Sequence, residues 1–239
     1  MLAWILALIG SFVGSALSAI CGFGIGIFMM IVLPYAIAPY SASCTVGLVS
    51  IIQAAWLAWI YRKKIRIKSA IPPLIAYFII TLLIVPKIKN LSNDSLRTIL
   101  GIFLLIIGIY FIFFNGKLKI KATPVNGFIA GVIGSVMGSM FSVAGPPMSL
   151  YFGSALDGKE EYIATMQFYF CITNIYLSTL RFINGYIDKT VLICLVWAII
   201  GMLGGTLLGK KIFSRLNADG VKKCSYALIL ISGLVMIIL

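Results

Sequence analysis

The sequence predicts an all-α membrane protein that crosses the bilayer several times, and three observations lead to this class. First, 62% of the 239 residues are hydrophobic, 10% are charged, and the mean hydropathy is +1.11, values far from those of soluble domains. Second, the chain divides into ten apolar segments. Third, glycine and proline interrupt it at two matching places. The predicted architecture is two inverted repeats of about five helical elements each, with a broken or re-entrant helix pair opening each repeat.

The division into segments uses the rule that a membrane-spanning helix needs about 20 apolar residues. The first half contains apolar elements at about 2–20, 25–38, 42–60, 70–86 and 96–114. The second half contains them at about 124–142, 147–156, 162–182, 190–208 and 223–238. A shift of 121 residues places Gly10 on Gly131, Ser18 on Ser139, Gly24 on Gly145 and Gln53 on Asn174. This recurrence predicts an internal duplication, with one repeat over 1–118 and the other over 122–239.

The distribution of lysine and arginine decides between two topologies, because short cytoplasmic loops are enriched in these residues. If each broken segment crosses the membrane once, loops near 62–68, 117–121 and 181–189 share a side, and the 19 basic residues divide 10 to 9. If each enters and returns, "RKKIRIK", "KLKIK", Lys159 and "KKIFSRLNADGVKK" share a side, and the division is 14 to 5. The second topology is therefore preferred. It makes the repeats inverted and places both termini outside.

Charge and composition also exclude several classes of protein. The net charge is +13, but the basic residues lie in short connectors between apolar segments, which indicates membrane topology and not a nucleic-acid-binding face. Histidine is absent and the six acidic residues fall in predicted loops, so we expect no enzyme activity. The five cysteines are scattered through apolar segments without CxxC spacing. We therefore expect no disulfide, no metal and no cofactor.

Two short stretches, "CGFGIGIF" at 21–28 and "SVAGPPMS" at 142–149, break helices inside apolar sequence. Within hydrocarbon, such breaks are tolerated only where protein or a water-filled cavity satisfies the freed backbone groups. Helices that begin after the breaks direct free N–H groups and the positive end of their dipoles at that cavity. Inverted repeats with interrupted helices are typical of secondary transporters. We therefore expect a small anion to bind between the breaks.

The predicted binding residues come from both breaks and from two polar positions within spans. The glycines and prolines shape the backbone, Ser142 adds a hydroxyl group, and Gln53 and Asn174 each carry two amide donors. The predicted substrate-binding set is Gly22, Gly24, Gly26, Gln53, Ser142, Gly145, Pro146, Pro147 and Asn174.

Glycines and buried polar residues in membrane helices also have a structural interpretation. Glycines let helices approach closely, and packing is the expected role of five glycines outside the binding set, Gly10, Gly14, Gly131, Gly134 and Gly138. Gln53 and Asn174 have interhelical hydrogen bonds as the alternative to ligand binding. We expect Arg181 and Tyr176 at the membrane interface, since long polar side chains near helix ends extend toward water.

The absence of carboxylates within the predicted spans bears on coupling, since proton-coupled transporters commonly use an Asp or Glu relay. We infer either facilitated flux or a substrate that itself carries the proton. A sodium site made from freed carbonyl groups is the alternative. The expected partners are a small anionic substrate and the lipid bilayer, with no nucleic acid. A coupling proton or sodium ion and a homodimer are left open.

The two breaks, taken together, resemble the sulfite exporter TauE/SafE family, also called the 4-toluene sulfonate uptake permease family. The resemblance rests on "GFGIGIFMMIVLP", "GSMFSVAGPPMSLYF" and "ATMQFYFCITNIYLSTLRF", and it covers essentially the whole chain. The chain departs from the family's commoner GxGGG pattern at Ile25 and at Val143-Ala144. The resemblance implies transport of sulfite, an organosulfonate or a similar sulfur-containing anion across the cytoplasmic membrane. Together with the predicted inverted repeats, we expect a multi-pass secondary transporter that works by alternating access. An anion channel and a non-transporting membrane scaffold are the alternatives.

Overall fold

A computed structural model describes residues 2–96, 98–99, 102–103, 106 and 121–217. This part of the chain contains helices and loops and no β-strand. The predicted element at 223–238 lies outside the described residues, and so does most of the one at 96–114. The helices described along their whole length are α1 (Leu2–Cys21), α2 (Ile25–Val32), α3 (Pro39–Ile60), α4 (Ile67–Ile84), α5 (Pro124–Phe141), α6 (Gly145–Ala155), α7 (Lys159–Ile183) and α8 (Lys189–Arg215).

Five stretches of the described chain are long and apolar enough to cross a membrane. They comprise α1, α3, α5, α8, and α4 extended by the 3₁₀ turn that follows it to Ile88. The helices α2 and α6 are shorter, with 8 and 11 residues. The prediction of an all-α, multi-pass membrane protein is therefore confirmed.

Two outer helix pairs, α1 with α8 and α4 with α5, flank the helices α2, α3, α6 and α7. The outer helices expose large apolar side chains at intervals of three or four residues, which is the spacing of one helix face. An exposed apolar face of this kind suits contact with lipid. Its members include Ile5, Ile9 and Phe12 on α1, Ile71, Ile75, Ile79 and Leu82 on α4, and Val196, Ile200, Leu203 and Leu207 on α8.

Glycines allow the closest helix contacts. A Cβ on Gly205 would lie within 3 Å of the backbone carbonyl of Phe12, so α1 and α8 touch through their main chains. A Cβ on Gly131 would lie 2.6 Å from the Cα of Pro73 in α4. The packing role expected for Gly131 is confirmed, as it is for Gly10, Gly14 and Gly138, where a Cβ would lie 2.8 Å from a neighbouring atom. At Gly134 a Cβ would meet its nearest neighbour at 3.4 Å, an ordinary contact, so packing stays a prediction there.

The order of contacts along the helices gives their directions. The helices α1, α3 and α8 run one way, and α4, α5 and α7 run the opposite way. Two contacts fix the direction within each helix pair. They are Leu8–Gly201 and Ala16–Gly209 for α1 and α8, Gln53–Thr206 and Trp56–Lys210 for α3 and α8, Pro73–Gly131 and Thr81–Ser139 for α4 and α5, Tyr77–Tyr169 and Val85–Tyr186 for α4 and α7, and Tyr40–Arg181 and Arg66–Thr165 for α3 and α7.

The loops separate into two ends of the bundle. Arg66, after α3, forms an ion pair with Glu161 at the start of α7, and Lys159 reaches the end of α8 with a hydrogen bond to the carbonyl of Phe213. The 184–188 loop lies at the other end, where Tyr186 donates to the carbonyl of Val85 at 3.2 Å. The loops near 62–68 and 181–189 thus occupy opposite ends. The topology in which each broken segment crosses once, which places them on one side, is wrong.

Candidate functional site

The two predicted breaks have the same backbone form. Helix α1 ends at Cys21 and α2 begins at Ile25, while α5 ends at Phe141 and α6 begins at Gly145. The residue after each first helix is left-handed, with φ +86° at Gly22 and φ +56° at Ser142, a geometry common at helix C-termini. The breaks therefore match at a spacing of 120 residues, one less than the shift that aligns the glycines in the sequence.

Both short helices turn back along the helix that precedes them. In the first half, a Cβ on Gly14 would lie 2.8 Å from the Cα of Ile25, and one on Gly10 would lie 2.8 Å from a methyl of Val32. In the second half, α6 returns along α5 in the same way. Each broken segment is thus a helical hairpin whose second helix starts inside the bundle.

The first turns of α2 and α6 meet beside a polar cavity. A Cβ on Gly26 would overlap the carbonyl oxygen of Ser142, and one on Gly145 would lie 2.7 Å from the Cβ of Phe23. The cavity has a volume of about 40 Å³, and no charged side chain lines it in the described part of the chain. Its polar lining consists of Ser18, Ser50, Gln53, Tyr77, Ser142, Gln167, Thr173 and Asn174.

The structure brings most of the predicted binding residues to this cavity. Those that line it are Gly24, Gly26, Gln53, Ser142, Gly145 and Asn174. Gly22, Pro146 and Pro147 do not line it. The Gly22 carbonyl accepts a hydrogen bond from Gln167 Nε2 at 3.1 Å, and Pro147 packs against Gly134 of α5.

The start of α2 supplies backbone donors. Hydrogen bonding of this helix begins with the Phe28 N–H, which donates to the Gly24 carbonyl at 3.0 Å, and no side chain caps it. The N–H groups of Ile25, Gly26 and Ile27 therefore precede the first helical bond, and these residues line the cavity. Such a helix start favours an anion.

The start of α6 supplies fewer donors. Its first helical residue is Gly145, and the next two residues, Pro146 and Pro147, have no N–H group. Proline is tolerated at these positions because an N–H group in the first turn of a helix would have no acceptor within the helix. The backbone donors at the cavity therefore come mainly from α2.

The two predicted amides differ in their hydrogen bonds. Gln53 Nε2 donates to the Ser15 carbonyl at 2.8 Å and to Thr206 Oγ1 at 2.9 Å, so both amide hydrogens join helices. Asn174 Nδ2 donates to the carbonyl of Phe170 in its own helix at 2.8 Å. The second amide hydrogen of Asn174 therefore has no acceptor among the described residues.

The interfacial position expected for Arg181 is wrong. The residue is 1% exposed, and all five guanidinium N–H groups have acceptors. Nε donates to Tyr40 Oη, Nη1 to the Ser43 carbonyl and Ser142 Oγ, and Nη2 to Ser43 Oγ and the Ser139 carbonyl, at 2.6–3.3 Å. The seven-residue spacing of Gln167, Asn174 and Arg181, two helical turns each, is the signal that places all three on the inner face of α7.

These features define an integral membrane protein with a ligand-sized polar cavity between two interrupted helices, an arrangement that membrane transporters use. A family model, Sulfite exporter TauE/SafE, matches residues 6–236. The chain belongs to the TauE/SafE sulfite exporter family, which is a family of membrane transporters. No curated protein and no solved structure gave a match.

Proposed function

We propose that the protein is a secondary transporter that moves a small sulfur-containing oxyanion across the cytoplasmic membrane. The cavity between the starts of α2 and α6 carries this proposal, because it combines an uncapped helix N-terminus with the Asn174 amide hydrogen that no described residue accepts and with the hydroxyl groups of Ser18 and Ser50. Such a lining stabilises negative charge. The family model supports the choice of a sulfur oxyanion.

The size of the cavity favours the smallest members of this substrate class. Its volume is about 40 Å³, and one water needs about 10–15 Å³ by the same kind of measure. The space therefore suits an ion of about four heavy atoms, such as sulfite. An aryl sulfonate adds a ring that this conformation does not accommodate.

The helix directions support two inverted repeats, over 1–118 and 122–239. The repeats pair α1 with α5, α3 with α7 and α4 with α8, and the members of each pair run in opposite directions. The contacts between helices follow the same pairing. Helix α1 packs on α8, and their counterparts α5 and α4 pack on each other. Helix α3 also packs on α8, and the counterparts α7 and α4 pack on each other. This is the relation expected for an axis in the membrane plane.

The positions of the breaks support alternating access. Gly22 lies against Tyr162 and Met166 near the start of α7, whereas Ser142 bonds Arg181 near its end. The helices α1 and α5 run in opposite directions, and both end at the cavity, where the first turns of α2 and α6 meet. Each hairpin therefore enters from a different end of the bundle, and rocking one repeat against the other opens the cavity to each side in turn.

Sulfite flux into liposomes tests the proposal. We expect saturable flux and stronger inhibition by small oxyanions than by 4-toluene sulfonate. In Asn174→Ala we expect the flux to fall at least about tenfold, because the variant loses one charge-assisted hydrogen-bond donor. Asn184→Ala is the matched control, since Asn184 makes the same bond to the carbonyl four residues earlier, at 2.8 Å, but does not line the cavity. Absence of flux from folded protein would contradict the proposal, and ohmic single-channel current would favour a channel.

A further inference from the structure

Arg181 is the one charged side chain that is buried in the described part of the chain. Its hydrogen-bond acceptors are all neutral hydroxyl or carbonyl oxygens. These oxygens satisfy the N–H groups but leave the positive charge uncompensated. A buried charge without an opposite charge is costly inside a membrane protein, so a neighbouring anion stabilises this arrangement.

The described residues provide no such anion. Glu160 and Glu161 pair with Lys64 and Arg66 at the other end of the bundle. Asp188 caps α8 by accepting from the Val191 N–H at 2.8 Å. The ring of Tyr40, 5.1 Å from the guanidinium carbon, is a favourable but neutral partner. The charge of Arg181 is therefore available to a ligand.

Ser142 connects Arg181 to the cavity. Arg181 Nη1 lies 2.9 Å from Ser142 Oγ, and Ser142 is part of the lining. An anion packed beside Ser142 would lie about 7 Å from the guanidinium group, because the 2.9 Å between Arg181 Nη1 and Ser142 Oγ and a van der Waals contact of roughly 4 Å between Oγ and the ion add up to this separation. At that separation and an effective dielectric constant of about 20, Coulomb's law gives roughly a 50-fold gain in affinity for each additional negative charge.

We propose that Arg181 is a specificity-determining residue that makes the cavity prefer doubly charged over singly charged oxyanions. The inference rests on the proposed function, because it requires an anion in the cavity. Arg181 acts from behind Ser142 through its charge, so its role differs from that of a residue that only holds α3, α5 and α7 together.

Ser178 offers a way to cancel this charge without changing Arg181. A Cβ on Gly47 would lie 3.0 Å from Arg181 Nη1 and 3.5 Å from Ser178 Oγ, so the two side chains border the same point. The Ser178 hydroxyl is buried and has no hydrogen-bond partner among the described residues. Ser178 also precedes Arg181 by three residues, one helical turn, from which a carboxylate reaches a guanidinium.

The test is inhibition of sulfite flux by sulfate and by perchlorate, two tetrahedral oxyanions with two charges and one. The ratio of their half-inhibitory concentrations is the readout, because it does not depend on how much protein is active. We expect wild type to prefer sulfate and Arg181→Gln to lose roughly 10- to 50-fold of that preference. Arg181→Lys, which keeps the charge, retains most of it. A role that is only structural changes the amount of flux and leaves the ratio unchanged.

The Ser178 variants keep the test decisive if Arg181→Gln does not fold. We expect Ser178→Asp to lower the preference for sulfate to a similar extent, and Ser178→Asn, its neutral control, to keep it. A wild-type ratio in Ser178→Asp, from a protein that transports sulfite, would overturn this inference and leave the proposed function standing. Absence of flux from wild type would instead overturn the proposed function and this inference with it.

Discussion

Replacement of Gly26 by alanine tests whether the backbone contact between the two breaks forms the cavity. Gly26 is the second residue of α2. An alanine Cβ would overlap the carbonyl oxygen of Ser142, and would lie 3.3 Å from its carbonyl carbon and 3.6 Å from the Cα of Val143. All three neighbours are backbone atoms, so no side-chain rotation relieves the overlap. The two breaks must move apart by roughly 1 Å to reach normal contact distances of about 3.5–4.0 Å.

The expected cost follows from two opposing terms. Overpacking of a close contact costs about 1–3 kcal/mol, whereas Gly→Ala within a helix contributes a gain of about 0.5–1 kcal/mol. The midpoints of these two ranges differ by about 1 kcal/mol, which is the net destabilisation expected for Gly26→Ala. Flux should fall more strongly, by about tenfold or more, because a displacement of about 1 Å at a binding site is enough to lose its geometry.

Gly153→Ala is the matched control. Gly153 lies in α6, the counterpart of α2, and a Cβ there would have no neighbour within 4 Å. We expect this variant to be neutral or slightly stabilised, with wild-type flux. Denaturant unfolding in detergent micelles and sulfite flux in liposomes measure the two effects. Wild-type stability and flux in Gly26→Ala would refute the argument that this contact closes the cavity.

Two further predictions separate packing from binding. Gly205→Ala should destabilise the protein by about 1–3 kcal/mol, because its Cβ would overlap the backbone of Phe12. Its neighbour Gly204→Ala should cost less, since a Cβ there would meet only the Phe12 ring at 3.1 Å. Equal unfolding midpoints of the two variants would contradict this. Gln53→Leu removes the hydrogen bonds to Ser15 and Thr206 and should lower stability by about 1 kcal/mol. We expect the order in which anions inhibit flux to stay the same, and a changed order would show that Gln53 selects the ligand.

The apolar pattern predicted the described helices and left the errors at their ends. Helix α7 begins at Lys159 and not at 162, because Glu160 and Glu161 are favourable in a first helical turn despite their polarity. Helix α8 continues to Arg215, past the predicted end at 208. The lysines at 210 and 211 are compatible with this longer helix, because a lysine side chain can pack along apolar surface. Lys210 does so, with its Nζ 5.6 Å from the centre of the Trp56 ring.

The site was predictable where local sequence determines it. Glycine and proline in an apolar segment report a helix break through backbone chemistry alone. The partners of Gln53 were not predictable, because Thr206 lies 153 residues away and no local pattern specifies that contact. The buried position of Arg181 was missed because an arginine near the end of an apolar segment normally reaches the membrane interface. Its spacing of seven residues from Asn174 instead indicates the inner face of α7.

The two breaks share a backbone form but differ in chemistry, and the difference explains their sequences. At the first break, Gly22 adopts its positive φ without cost, and the neutral amide of Gln167 donates to its carbonyl. At the second break, Ser142 adopts a conformation that is costly for a residue with a side chain. Its hydroxyl offsets this cost by donating to the Ser43 carbonyl at 3.0 Å and accepting from Arg181. The first half therefore places backbone N–H groups at the cavity, whereas the second half places the charge of Arg181 behind Ser142. The anion that we propose would interact with both.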